Sequence, residues 1–253
     1  MRATAANPVT TASAWASYKI SSFRGSNDRY YGDWPAVAYN GSGYGVVWVG
    51  SNGTPNAENI FFENLSSAAS ASGMFQLTQH PYCRCTTAGP PNIVWTGSRY
   101  AVAWLDAQIN GGQFQGEVVR VATLDANGNK LTELPVSLPQ NLNSDARPAL
   151  RWTGTRLAIA WRNWSNVERY YAEVSADGKQ ILTGAHLASN AEWQLANDPG
   201  FTGRPILLGN KIYLYDGDFT EMISDVAGNN RTPHLTWTGA RYAAVWANTG
   251  NDR

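Results

Sequence analysis

Lysine is scarce in this chain of 253 residues: only four of its nineteen cations are lysine, nineteen acids balance them, and the formal net charge is zero. Without a basic stripe or a lysine-rich run, electrostatic capture of nucleic acid or of an anionic membrane surface is excluded. Long apolar runs are missing too. None approaches the roughly 18–20 residues that a membrane span requires, and the N-terminal text MRATAANPVTTASAW lacks the apolar middle of a signal peptide. There are only two cysteines. Cys83 and Cys85 stand one residue apart, so a bond between them would close a very small, strained ring; a local disulfide, free thiols and partners in another chain all stay open for the pair. Catalytic text is equally thin: there is no Gly-x-Ser-x-Gly elbow, no Gly-x-x-x-x-Gly-Lys phosphate loop and no His-Glu-x-x-His. No cofactor is expected.

What the chain has instead is repetition. Four stretches follow one template of Pro, an apolar alternation, Gly, a second alternation and Trp: PAVAYNGSGYGVVW (35–48), PNIVWTGSRYAVAW (91–104), PALRWTGTRLAIAW (148–161) and PHLTWTGARYAAVW (233–246). The first three begin at positions 35, 91 and 148, so the period is 56 and then 57 residues. A further unit is due near 205, where Pro205 opens the shortened copy PILLGNKIYLYD. A fixed period of this length marks a repeat architecture in which each unit buries its apolar face against its neighbours.

Within each copy the alternation has period two around a Gly-containing turn, the pattern of a β-hairpin. A second strand pair is expected downstream around Gly73, Asn127-Gly128 and Asp177-Gly178. Four strands per repeat make the blade of a β-propeller. The expected fold is therefore all-β, a five-bladed β-propeller in one domain spanning 1–253, with blades near 35–90, 91–147, 148–204 and 205–232. The fifth is composite: residues 233–253 plus the N-terminal segment 1–34 close the ring.

The text Pro35-Ala-Val-Ala-Tyr-Asn-Gly41, followed by Tyr44 and Val46-Val47-Trp48, resembles a repeat of secreted bacterial proteins with the pattern Gly-x-x-Tyr-x-Val-Val-Trp-x-Asp. The resemblance covers nearly the whole chain and implies a propeller outside the cytoplasm. The acidic residue two places past the Trp is kept as Asp106 but is Gly50, Asn163 and Asn248 in the other copies. Blade number and length are also similar to tachylectin-type five-bladed lectins, which implies sugar binding in clefts between blades. Abundant Asn, Gly, Ser, Thr and Trp agree with that address. The expected location is secreted or cell surface, with any leader lying outside this text.

Seven of the eleven tryptophans (Trp48, Trp95, Trp104, Trp152, Trp161, Trp237, Trp246) occupy template positions, where blade-to-blade packing accounts for them. Trp15, Trp34, Trp164 and Trp193 do not. Trp164, in Arg162-Asn163-Trp164-Ser165-Asn166, is flanked by the amides and hydroxyls that a neutral sugar uses while its C–H face stacks on an indole. The loops after the template tryptophans therefore supply the candidate ligand site: Asn52, Asp106, Asn110, Asn163, Asn166 and Asn248, with Trp164 as the platform. Packing over the rim of the ring is the competing role for Trp164.

His80, Cys83 and Cys85 could supply three ligands to zinc or copper if the thiols stay reduced, but no fourth ligand is evident. Glu58, Glu117 and Glu168 recur at the start of the third strand, which suits carboxylates accepting from loop backbone. The inner-strand segments 37–39, 93–95, 149–152, 206–208 and 234–237 hold no Asp or Glu, which argues against a central glycosidase site. The expected function is a lectin-like, carbohydrate-binding propeller with weak multivalent sites. A protein-interaction or structural propeller without catalytic activity is the alternative, and a glycan-active hydrolase a lesser one. The expected partners are glycans or a protein.

Overall fold

The structure, a computed structural model, describes residues 33–50, 58–68, 70–79, 89–110, 113–140, 147–163, 168–197, 204–208, 211–215, 220–224 and 230–248. Residues 1–32 of the segment expected in the composite blade lie outside these residues, and Asp33 and Trp34, expected in that blade, belong instead to the first strand of the first sheet. What is described is all-β apart from one short helix, with the strands sorted into five antiparallel sheets in chain order.

The first sheet is β1 (Asp33–Tyr39), β2 (Gly43–Gly50), β3 (Asn59–Ser66) and β4 (Ala71–Gln76); the second is β5 (Asn92–Trp95), β6 (Tyr100–Asn110), β7 (Gln113–Leu124) and β8 (Lys130–Pro135). The third is β9 (Ala149–Trp152), β10 (Arg156–Arg162), β11 (Arg169–Ser175) and β12 (Ile181–Leu187), followed by α1 (Asn190–Asn197). β13 (Arg204–Leu208), β14 (Lys211–Tyr215) and β15 (Thr220–Ser224) form the fourth, and β16 (Asn230–Trp237) pairs with β17 (Tyr242–Asn248) in the last. Each sheet is a simple meander.

The template hairpin forms because its turn closes on itself. Thr96 hydrogen-bonds Arg99 through both backbone and hydroxyl, Thr153 does the same to Arg156 and Thr238 to Arg241. Between them sit Gly97, Gly154 and Gly239 at φ +95, +98 and +90, and Gly41 at φ +97 plays that part in the first copy. These backbone angles strain any residue with a side chain, which explains the glycine.

The outer turns fall at Gly128 and Gly178 as the sequence leads one to expect, but not at Gly73. There the chain reverses through Ser66–Ser70, with Ser70 and Ala68 donating to the Ser66 hydroxyl, and Gly73 lies inside β4 at φ +127. The register slips between Glu63 and Leu65, so Gly73 is the extra residue of a bulge.

Alternation along the second strands explains how the sheets stack. In β6, Tyr100, Val102 and Trp104 face the first sheet, joining Val47, Ile60 and Phe62, while Ala101, Ala103 and Leu105 face the third, joining Leu157, Ile159 and Trp161. A strand buried on both faces reads as one apolar run, YAVAWLDA, whose alternation is of size rather than polarity. The template tryptophan looks back at the preceding sheet each time: Trp104 toward the first, Trp161 toward the second and Trp246 toward Ile212 of the fourth. Trp48, in the first sheet, packs with Val245 of the last. Trp48, Trp104 and Trp161 are buried, as packing tryptophans should be, whereas Trp237 at the end of its first strand is exposed.

Turns nest into the neighbouring sheet as well. A Cβ on Gly128 would collide with the ring of Phe62 in the first sheet, and one on Gly178 would come within 2.5 Å of Thr123 and Thr132 in the second. Asn64 donates to the carbonyl of Ala126 and Lys130 to that of Leu77, both across the first interface. The third sheet turns its other face to α1, where Trp193, Leu195 and Ala196 pack with Ala158, Ala160 and Tyr171. That contact accounts for one off-template tryptophan, and Arg169 completes it 5.0 Å above the Trp193 ring.

Candidate functional site

Strand direction decides which residues can share a site. Asp33 pairs with Val49, Asn92 with Ala103, Ala149 with Ala160, Arg204 with Tyr215 and Asn230 with Asn248. In every sheet the end of the second strand thus lies beside the start of the first. The segments after the template tryptophans and the entries to the inner strands gather at the same end of each sheet.

Of the residues expected there, Asn163, Asn248, Asp106 and Asn110 are described; Asn52, Trp164 and Asn166 lie outside the described residues, as do His80, Cys83 and Cys85. Asn163 is buried just past β10, its backbone N–H donating to the carbonyl of Glu168. Asn248 is exposed at the end of β17. Asp106 is buried within an ion-pair ladder across three strands: Arg120 Nε lies 2.5 Å from its Oδ2, Gln108 donates to the same oxygen, and Arg120 Nη1 goes on to Glu133, which also takes Lys130 at 2.8 Å. The geometry makes it a strut between β6, β7 and β8. Asn110 is exposed at the tip of a long hairpin, because β6 runs four residues past Asp106 before returning at Gln113, a reach of about 13 Å. Phe114 stands exposed beside it.

The recurring acids at the third strands are structural in different ways. Glu117 is buried and exchanges both backbone hydrogen bonds with Gln140, whereas the Glu168 carboxylate accepts from the Tyr170 hydroxyl at 2.5 Å. Among the described residues no group of three His, Cys, Asp or Glu side chains could hold a metal ion.

The inner strands carry a feature that the repeat template does not announce. β1 begins at Asp33, two residues before its proline, so an acid does open one inner strand outside the segments considered from sequence. Trp34 and Thr232, each immediately before a template proline, have φ +51 and +45, and the register slips at both places. Non-glycine residues held in the left-handed region cost about 1–3 kcal/mol each and recur where a side chain must be re-aimed.

These two bulges are neighbours, because β1 packs against β16. His234, one residue past Pro233, reaches across: its Nδ1 accepts the N–H of Val37 at 3.3 Å. Val37 is a non-hydrogen-bonded partner of Val46, given the Asn40–Gly43 turn bond and the register, so its N–H points away from β2 and needs this acceptor. The imidazole is accordingly neutral with its proton on Nε2. His234 as a residue is half-buried, and burial of the imidazole followed by the charge of Arg147 holds its pKa well below the usual histidine range. Asn92 occupies the position equivalent to His234 and also reaches the next inner strand, donating to the carbonyl of Pro148 at 3.3 Å. Trp34 packs, half-buried, on the cluster that includes Ile93.

No protein family and no curated protein matches the sequence. Among solved structures, the chain is similar to a GH43 β-xylosidase/α-arabinofuranosidase from a compost microbial metagenome at 12% identity and TM-score 0.47, with 88% of each chain covered. A GH62 α-L-arabinofuranosidase of Coprinopsis cinerea aligns at 10% identity and TM-score 0.44 over 90% of this chain and 88% of that one. A family 117 glycoside hydrolase of Zobellia galactanivorans aligns at 12% identity and TM-score 0.43 over 81% and 73%.

Proposed function

We propose that this protein is a lectin-like, carbohydrate-binding β-propeller of five blades with weak multivalent sites that acts outside the cytoplasm. The observation that carries the reading is the common end of the sheets, where Asn163 and Asn248 follow second strands whose ends lie beside the inner-strand entries, with Asn110 on the hairpin that extends beyond that end. Neutral charge, surplus tryptophan and amide-rich loops suit uncharged, hydroxyl-rich ligands. Trp164 is the stacking platform, Asn163 and Asn166 its polar flanks, and Asn52 and Asn248 their counterparts in other blades. Asp106 contributes by bracing the hairpin that carries Asn110. Because the fourth unit is shortened, the sites are unequal. Each binds with roughly millimolar to micromolar affinity and gains avidity on a surface that engages several.

A glycan array probed with the wild-type chain and with Trp164→Ala tests this. Saturable hits that the substitution abolishes, with melting temperature unchanged, are the expected result; unaltered binding by the variant would remove Trp164 from the site. A blank array would favour a protein-interaction propeller. That second reading draws on the outer strands, where Met74, Phe75, Leu131, Ile181 and Leu182 are exposed.

A further inference from the structure

Among the described residues the fourth sheet is one strand short of the first three. In those, a turn and an outer strand follow the third strand and take 10, 11 and 12 residues (67–76, 125–135 and 176–187), whereas only residues 225–229 lie between β15 and β16 of the last sheet. That link is too short for a turn and a strand. The outer edge of β15 therefore has no partner among the described strands.

The missing turn leaves a mark on the third sheet, because the turn before each outer strand is what the preceding sheet holds. Asn64 of the first sheet donates to the Ala126 carbonyl in the turn before β8. Arg99, Thr123 and Thr132 of the second converge on the Asp177 carbonyl in the turn before β12, at 3.4–3.5 Å. Template and register carry the same three positions into the third sheet. Arg156 stands where Arg99 does, Glu173 lies opposite Ala158 as Thr123 lies opposite Ala101, and Thr183 pairs with Glu173 as Thr132 pairs with Thr123. Here Arg156 is exposed where Arg99 is half-buried, and Glu173 is half-buried where Thr123 is buried outright. The three are still held in place: Glu173 accepts from Arg156 Nε at 2.9 Å, from the Tyr171 hydroxyl at 2.7 Å and from Thr183 at 3.4 Å. Helix α1 packs on the same face further along the strands, at Ala158, Ala160 and Tyr171.

We propose that the β15 edge and this face of the third sheet together take up a strand of another protein, an extended segment of about six residues led by an Asn-Gly or Asp-Gly turn. Its backbone pairs with β15 as the fourth strand of that sheet, and its turn carbonyl accepts from Arg156, which Glu173 braces. Continuity with the two filled interfaces fixes this chemistry, since Asn127-Gly128 and Asp177-Gly178 occupy the equivalent places and both glycines have positive φ. The surface lies at the opposite end of β10 from Asn163. It is thus separate from the glycan loops and gives the protein-interaction reading a partner class.

A fluorescent peptide of residues 175–187, SADGKQILTGAHL, titrated into the full chain and followed by anisotropy is the test, because its Asp177 carbonyl is the group that Arg99 meets at the equivalent interface. It should bind saturably, on the order of tenfold more tightly than a scrambled peptide or one carrying Gly178→Val, whose turn is strained at positive φ. Arg156→Gln in the full chain should weaken it on the order of tenfold with the melting temperature nearly unchanged. Amide exchange of the wild-type chain, a readout that needs no variant to fold, should show new protection at Thr220–Ser224 when the peptide is added. Equal binding of the scrambled peptide, protection confined to the outer edges of β4, β8 or β12, unaltered affinity in Arg156→Gln, or no saturable binding to the full chain would overturn the proposal. The glycan array and Trp164→Ala bear on the loop reading alone, so the two can fail separately.

Discussion

At the scale of single residues, two kinds of glycine hold the repeat together for different reasons. Gly41, Gly97, Gly154 and Gly239 all have φ between +90 and +98, and a Cβ at any of them would meet open space. Only the backbone angle forbids a side chain there, so Gly154→Val should destabilise by roughly 1–3 kcal/mol in urea unfolding. Gly128 has positive φ as well, but its added Cβ would strike the ring of buried Phe62 in the neighbouring sheet. Gly128→Ala should therefore cost more than Gly154→Ala, although the substituted atom is the same. Equal losses would show that the interface yields to the turn. The four hairpin glycines were legible in the sequence because they recur at the template turn. Gly73 was not: it looks like another turn glycine, but the Ser66 hydroxyl closes the turn earlier and leaves Gly73 as a bulge. Asp106 misleads in a similar way. Its place after a template tryptophan suggests a ligand-facing loop, whereas the strand continues past it and Arg120, fourteen residues away, claims the carboxylate.

At the scale of elements, α1 stands apart from the repeat. The backbone bonds that end the first two outer hairpins, Leu77 N–H to Ile60 and Val136 N–H to Val119, have a counterpart in Ala188 N–H to Arg169. The next residue is a hydroxyl in all three: Thr78 accepts from the Ile60 N–H and Ser137 from the Val119 N–H. Ser189 instead caps the helix, accepting from the Glu192 N–H at 3.3 Å while Glu192 Oε2 accepts from the Ser189 N–H at 2.8 Å. This is a capping box, and Ser189→Ala should cost about 1 kcal/mol. Glu192 also ties the helix to β12 through His186 Nε2 at 3.0 Å. The Gly184 carbonyl and then Glu192 raise the His186 pKa above its usual value, while the Ser189 bonds lower that of Glu192. The histidine's contribution is full below its unfolded pKa and lost as pH rises through the raised folded value. The glutamate's is full above its own unfolded pKa and lost as pH falls through the lowered one. The tether should hold best between about pH 4.5 and 6.5. Amide exchange of α1 as a function of pH checks this: protection should peak in that window and the alkaline fall should vanish in His186→Gln. Both groups are partly exposed, so salt should damp the effect. The helix escaped the sequence reading because SNAEWQLAN lies between repeats, where the period-two template has no purchase.

At the scale of the whole molecule, the question is how the ends of the array are covered. An open stack would leave the apolar face of its first sheet to water. Here Trp48 and Val46 of that sheet pack with Val245 of the last, just as Trp104 and Trp161 pack on the sheets before theirs. The His234 bond from the last sheet to β1 repeats the reach of Asn92 from the second sheet to the strand that opens the third. Contacts between first and last sheets are what a closed ring of five blades requires, and we propose that closure on this ground. We propose further that the composite blade takes its remaining strands from residues 1–32, where the sequence has the strand-like text AWASYKISSF. If so, removing residues 1–32 takes away the outer half of the blade that covers Trp48, and the loss should spread because every sheet between leans on its neighbours. Calorimetry should then show the single sharp transition of the full chain replaced by a broader one at lower temperature. Removing residues 230–253 should do the same by baring the other half of that blade. If the chain lacking 1–32 melts as sharply and as hot as the parent while the one lacking 230–253 does not, the last hairpin alone covers the first sheet and the composite blade is wrong.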